Sequence, residues 1–164
     1  MEPEEALTKL MTASGDRLLR LAYQLTHDRS AAEDVVQEAL MRIYRTWRRT
    51  MPENAEAYAY RTVVNEFLRR RRLRSATELV TDAVPEVAAP EFESGVVDRA
   101  QLWQSLGRLP ARQRAVLVLR YYEDLPDARI AELLGAKEAT VRSLALRALT
   151  TLRNTAVVTE GGAS

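Results

Sequence analysis

Three observations predict an all-α chain: two small helical domains joined by a flexible acidic linker. Apolar residues recur at three- and four-residue spacing through most of the 164 positions. Short polar or proline-marked connections, such as His27-Asp28-Arg29 and Pro52-Glu53-Asn54, separate these periodic segments. Between them, Ser75 to Asp98 loses all period and carries six acids and no base. The predicted divisions are a first domain at 1–74, a linker at 75–97, a second domain at 98–155 and a disordered tail at 156–164.

Pro3 to Leu25 reads as a helix with Leu7, Leu10, Met11, Leu18, Leu21, Ala22 and Leu25 on its core stripe. Gly15 costs roughly 1 kcal/mol relative to alanine inside a helix, so a break is expected near Ser14-Gly15. His27-Asp28 forms a helix-ending turn, and so short a connection makes the next helix an antiparallel neighbour. That second helix, Ser30 to Trp47, begins with a capping-box pattern of Ser30 and Glu33. Its predicted buried stripe is Ala32, Val36, Ala39, Leu40, Ile43 and Trp47. The opposite side carries Asp34, Glu38, Met41 and Arg45, with Gln37 beside the acids. Two readings stand: a solvated face with a Glu38–Arg42 pair, or a docking surface for a basic partner.

Asn54 is placed to cap a third helix, about Ala55 to Arg74, with Tyr60, Val63, Val64, Phe67 and Leu68 buried. It ends in Arg69, Arg70, Arg71, Arg72 and Arg74, with no acid after Glu66. Cations suit a helix C-terminus, but five arginines in six positions exceed what capping needs. They read as a phosphate-binding edge whose mutual repulsion a polyanion relieves. The acidic stretch that follows could fold back on these arginines in the absence of nucleic acid.

The second domain opens with a short helix at Ala100–Leu106 and a turn at Gly107–Leu109. Pro110 opens the next helix, which carries Val116, Leu117, Leu119 and Tyr121. Asp124 is placed to cap the helix that Gly135 ends, and Ala136-Lys137-Glu138 turns into a last helix. Its stripe is Val141, Ala145, Ala148, Leu149 and Leu152, and the pair makes a helix-turn-helix.

Charge and composition narrow the chemistry. The net charge is only +1, and nearly all the bases are arginine, with Lys9 and Lys137 the two lysines. That bias suits phosphate and guanine edges, but a genome's base composition accounts for the larger share of it. With no cysteine, disulfides, zinc-thiolate sites and thiol redox chemistry are excluded, and with His27 the single histidine a histidine-based metal site or triad is hard to build. No cofactor, metal, catalytic residue or small-molecule substrate is expected. No apolar run reaches membrane-spanning length and the N-terminus lacks a signal pattern, so a cytoplasmic protein is expected.

Ala32-Glu33-Asp34-Val35-Val36-Gln37-Glu38-Ala39 resembles the AEDLVQE core-binding signature of extracytoplasmic-function (ECF) sigma factors. Leu109-Pro110-Ala111-Arg112-Gln113-Arg114-Ala115-Val116, Arg120-Tyr121-Tyr122-Glu123-Asp124-Leu125 and Ile130-Ala131-Glu132-Leu133-Leu134-Gly135 resemble the family's fourth-region helix-turn-helix. The likeness implies a promoter-specificity subunit without catalysis of its own, made of a region 2 bundle and a region 4 helix-turn-helix. Its partners would be core RNA polymerase, through the clamp helices of the largest subunit and the flap of the second, promoter DNA, and an anti-sigma factor.

By the same resemblance, Asp34, Gln37, Glu38, Met41 and Arg45 would meet the polymerase. Arg48, Arg49, Asn54, Tyr58, Arg61, Asn65, Arg69, Arg70 and Arg72 would take the −10 element, the loop at Arg48–Asn54 capturing an unstacked base. Lys137, Glu138, Thr140, Arg142, Ser143 and Arg147 would meet the −35 element in the major groove. The chain departs from the family pattern at Tyr58 (usually tryptophan), Arg69 (often aspartate), Lys137 and Ala139 (often serine and glycine) and Leu144 (arginine). Thr140 is then the candidate cap of the recognition helix, and Leu144 completes the core stripe or joins Leu146 on a protein-binding face. A stand-alone helix-turn-helix regulator, or a degenerate relative that binds polymerase without normal −35 recognition, are the alternative readings.

Overall fold

The computed structural model describes residues 2–50, 52–77 and 99–161. Seven α-helices and one π-helical turn, with no strand, make up the described residues. The chain divides into two compact units, Met1–Ala76 and Thr77–Ser164.

The first unit is built from α1 (Pro3–Thr26), α2 (Arg29–Trp47) and α3 (Ala55–Thr77). Pro3 stands in the first turn of α1, where a missing amide proton costs nothing. No break occurs at Gly15: α1 is continuous, and a Cβ at Gly15 would meet Met11 Cε at 3.2 Å. The buried stripe is Ala6, Leu10, Ser14, Leu18, Leu21, Ala22 and Leu25, so the expected Leu7 and Met11 give way to small residues. Small residues let α2 approach closely.

His27 leaves α1 in the left-handed conformation, φ 59°, with its amide donating to Tyr23 O at 2.8 Å. That turn delivers Asp28 in extended conformation to the start of α2, where its Oδ1 accepts from the Ala31 amide at 3.1 Å. The cap is therefore Asp28, two residues before the expected Ser30, and Glu33 pairs with Arg29 at 3.5 Å instead of closing a capping box. Val35 joins Ala32, Val36, Ala39, Ile43 and Trp47 in the core, while Leu40 is half-buried.

Asn54 caps α3 as expected, its Oδ1 accepting from the Ala57 amide at 3.0 Å. Ala59, Tyr60, Val63, Val64, Phe67 and, unexpectedly, Glu66 are buried, while Leu68 is half-buried. The helix runs to Thr77, past the start expected for the linker at 75, and the remainder of the 75–97 stretch lies outside the described residues.

The second unit comprises α4 (Arg99–Arg108), α5 (Ala111–Leu117), a π-helical turn at Val118–Tyr122, α6 (Asp127–Leu134) and α7 (Glu138–Gly161). Gly107 is helical instead of forming a turn, because Arg114 reaches back to donate to the carbonyls of Gly107 and Leu109. Orphan carbonyls at a helix end need such partners. Pro110 is the residue just before α5, not its first. Val116, Leu117, Val118 and Leu119 are buried, whereas the π-helical turn swings Tyr121 outward, 55% exposed.

Asp124 does not cap α6; it takes a left-handed conformation, φ 54°, in the approach to it. Pro126 precedes the helix without a side-chain cap, and the Asp127 carboxylate faces Arg120 at 2.6 and 2.8 Å. Gly135, φ 61°, ends α6, with the Ala136 amide donating to Ala131 O at 2.9 Å. α4, α5 and α6 pack against α7 through Leu106, Val116, Ile130, Leu133, Val141, Ala145, Ala148 and Leu152. Leu149 is half-buried and Thr150 takes a buried place. α7 runs to Gly161, so helix covers most of the 156–164 tail that was expected to be disordered.

Candidate nucleic-acid interface

The first unit presents two differently charged surfaces that meet along one network. On α2, Asp34, Gln37, Met41 and Arg45 are exposed and Glu38 is half-exposed. Helical spacing makes this face, since its residues fall between the positions that Ala32, Val35, Val36, Ala39 and Ile43 take in the core. Arg42 lies beside it and pairs with Glu38 at 3.7 Å, the expected i,i+4 contact.

On α3, Tyr58, Arg61, Asn65, Arg69 and Arg72 follow one another at three- or four-residue steps and so share one stripe. Arg61, Asn65 and Arg72 are exposed, Tyr58 and Arg69 half-buried. Arg70 does not share that stripe. It sits on the side toward α2, where Nη2 donates to the backbone oxygen of Asp34 at 3.4 Å. At the end of α2, Arg45, Thr46, Arg48, Arg49 and Thr50 line a recess of about 770 Å³. Asn54 Oδ1 is already engaged in capping α3, which leaves its amide group as the free end.

The residue that sequence reasoning missed is Glu66. Its side chain is 0% exposed, yet it is ringed by three guanidinium groups. Arg69 donates to it at 2.7 and 3.1 Å, Arg70 at 3.0 Å, and Arg42 of α2 stands at 3.2 Å. Burial raises the Glu66 pKa, but the hydrogen bonds from Arg69 and Arg70 and the charges of Arg69 and Arg42 outweigh it and hold the carboxyl below its usual range. The hydrogen bond and charge of Glu66, with a smaller contribution from Glu38, raise the Arg69 pKa further. The arginine run is thus neutralised in part from inside the protein, which the expectation of unrelieved repulsion left out. The signal was present in the sequence: an acid inside the apolar stripe Val63–Phe67, with arginines three and four residues on.

In the second unit, α6, the Gly135 turn and α7 form the helix-turn-helix. Lys137, Glu138, Arg142, Ser143 and Arg147 are exposed and Thr140 half-buried. Thr140 lies inside α7, which begins at Glu138, so it is not the cap. Arg142 and Glu138 approach to 3.9 Å, both more than half exposed. Leu144 is half-buried, and Leu146 is 48% exposed on the same surface as Arg142 and Arg147. Among the described residues, no cluster of His, Cys, Asp and Glu could hold a metal ion, and no helix is long and apolar enough to cross a membrane.

Two helical units, one with a basic stripe and one with a helix-turn-helix, define a two-module nucleic-acid-binding protein. Residues 10–77 match Sigma-70 region 2, and residues 99–152 match Sigma-70 region 4. The RNA polymerase sigma-E factor of Streptomyces coelicolor is 36% identical over 139 residues, covering 84% of this chain and 78% of that protein. The ECF RNA polymerase sigma factor SigL of Mycobacterium tuberculosis is 35% identical over 149 residues, covering 84% and 81%. Among solved structures, the sigma factor RpoE of Bartonella quintana, in complex with the anti-sigma factor NepR, matches the fold with a TM-score of 0.64 at 23% identity. That match covers 92% of this chain and 96% of the other. The ECF sigma factor SigJ of M. tuberculosis matches with a TM-score of 0.60 at 27% identity over 88% of this chain and 52% of its own. The chain belongs to the sigma-70 family and is an RNA polymerase sigma factor of the ECF type.

Proposed function

We propose that this chain confers promoter specificity on core RNA polymerase by using its two units for different halves of the promoter. Asp34, Gln37, Glu38, Met41 and Arg45 dock on the clamp helices of the largest subunit. Arg48 and Arg49 line the recess that takes an unstacked −10 base, with Asn54 at its edge. Tyr58, Arg61, Asn65, Arg69 and Arg72 track the −10 strand, and Arg70 stands between that strand and α2. Lys137, Glu138, Thr140, Arg142, Ser143 and Arg147 face the −35 duplex, and the second unit also meets the flap of the second subunit. An anti-sigma factor is a further partner and competes for these surfaces. The protein acts in the cytoplasm and has no catalytic chemistry of its own.

The observation that carries this reading is the exposed acidic face of α2 beside the arginines of α3, the two joined by Arg70 at the Asp34 backbone oxygen and by Arg42 between Glu38 and Glu66. A face that only kept α2 soluble would have no need of that neighbour. Core polymerase with the purified chain should give run-off transcripts from a subset of a promoter pool. Asp34→Arg and Glu38→Arg, which reverse charge on the docking face, should each abolish the transcripts and the co-purification with core enzyme. Duplex binding and regulation indifferent to both changes would instead establish a stand-alone regulator.

A further inference from the structure

We infer that Glu66 is a positioning residue: a buried carboxylate that holds the α3 arginines in register for the −10 strand and withholds part of their charge from other polyanions. The inference rests on the proposed −10 role of α3.

Four facts carry it. First, the carboxylate has no solvent exposure, and its neighbours on the apolar stripe, Val63, Val64 and Phe67, are buried with it. An acid in such a place is costly unless matched. Second, its match comes from cations that stay partly in water. Arg42, Arg69 and Arg70 remain 45%, 36% and 36% exposed, so each could turn to water or to phosphate without leaving the surface. Third, the geometry fixes direction. Arg69 gives both Nε and Nη2 to the two carboxylate oxygens, a bidentate fork that sets the plane of the guanidinium. Arg69 itself falls, by helical spacing, on the stripe of Arg61, Asn65 and Arg72. Fourth, Arg42 ties the carboxylate to Glu38 on the polymerase-facing helix, and Arg70 ties it to the backbone of Asp34.

A fixed fork and a free one bind nucleic acid differently. Phosphate attraction needs only charge, whereas reading a base needs a held orientation. Glu66 therefore lowers unspecific attraction and raises discrimination. A residue that merely stabilised the unit would move both in the same direction, or neither.

The test separates charge from position in the full-length chain. Glu66→Gln removes the anion and keeps the shape; Glu66→Asp keeps the anion and withdraws it by one carbon. Glu5→Gln, at an exposed acid on α1, controls for the change in net charge. Two readouts are taken: the salt concentration that elutes each variant from heparin, and holoenzyme open-complex formation on the recovered promoter against a −10-substituted template. Trp47 fluorescence, read in a Trp103→Phe background, verifies that the first unit is folded. Glu66→Gln should elute later than the Glu5→Gln control and lose about tenfold in −10 discrimination, the worth of one good base contact. Glu66→Asp should lose discrimination with no gain on heparin, and this variant carries the test if the glutamine form fails to fold. Unchanged discrimination in the folded variants overturns the inference, as does heparin elution of Glu66→Gln equal to that of the control. If no promoter is recovered with wild-type protein, the functional reading fails, and the heparin comparison still decides whether Glu66 holds the arginines back.

Discussion

Replacing Arg114 by methionine should destabilise the second unit and leave the first untouched. Arg114 is 1% exposed, and its Nη2 serves the carbonyls of Gly107 and Leu109 where α4 ends and α5 begins. A hydrogen bond from a charged group contributes about 1.5–3 kcal/mol net, so these two bonds together are worth about 3–6 kcal/mol before opposing costs. Against this stands the cost of keeping a cation out of water, which methionine removes while filling most of the space. The two stranded carbonyls then dominate, and the net loss is about 2–3 kcal/mol. For a unit of this size each kcal/mol lowers the melting temperature by about 4–8 °C, which gives a fall of roughly 10–20 °C. The sequence offers a direct assay, because its two tryptophans fall one to each unit: Trp47 in the first and Trp103 in the second. In a Trp47→Phe background the remaining indole, which meets Tyr122 edge-on at 6.2 Å, follows the second unit alone. A shift smaller than about 3 °C would refute the energetic reasoning. An equal shift of the Trp47 transition, read in a Trp103→Phe background, would refute the independence of the units.

Two further outcomes use the same reporters. Gly135 has φ 61° and open space where a Cβ would stand, so Gly135→Ala should cost only the left-handed strain, about 1 kcal/mol. That is a fall of about 4–8 °C in the Trp103 transition, and Gly135→Asn should fall less. Glu66 titrates lower in the folded than in the unfolded chain, whose reference value is 4.5. Its stabilisation is therefore complete above about pH 4.5 and disappears as pH falls through the lower folded value. In a Trp103→Phe background, between about pH 6 and pH 3 the Trp47 transition with Glu66 present should accordingly drop further than with Glu66→Gln; equal drops would refute it.

Periodicity made the helices legible, and it failed where a local turn or a polar side chain outranked it. Leu10, Leu18, Leu21, Ala22 and Leu25 were readable because repeated burial on one face leaves a pattern. Ser14 was not, since a small polar residue fits a close helix contact without advertising it. The start of α2 was misplaced because His27 adopts a left-handed conformation that hydropathy does not record, and that turn promotes Asp28 to the cap. Tyr121 was misassigned for a similar reason: a π-helical turn shifts every later side chain out of the 3.6-residue register. Of the candidate interface, the acidic face of α2 and the arginine run could be seen in one dimension. Their connection could not, because Arg42 and Glu66 are neighbours only after α2 and α3 pack.

That connection changes what the arginine run means. Counted in sequence, five cations at a helix end look like surplus charge awaiting a polyanion. Placed in the fold, they divide into unlike members. Arg70 spends its donors on Glu66 and the Asp34 carbonyl, Arg69 is oriented by a fork with both carboxylate oxygens, and Arg72 is exposed. The second unit shows the opposite arrangement. Its outward face on α7 sets Arg142, Ser143 and Arg147 beside the exposed Leu146, with no buried acid among them. If donors held in place read bases and loosely held ones find phosphates, the more discriminating surface of this sigma factor is the first unit. On that premise the α7 face would contribute mainly attachment, which a half-buried Leu144 would not impair.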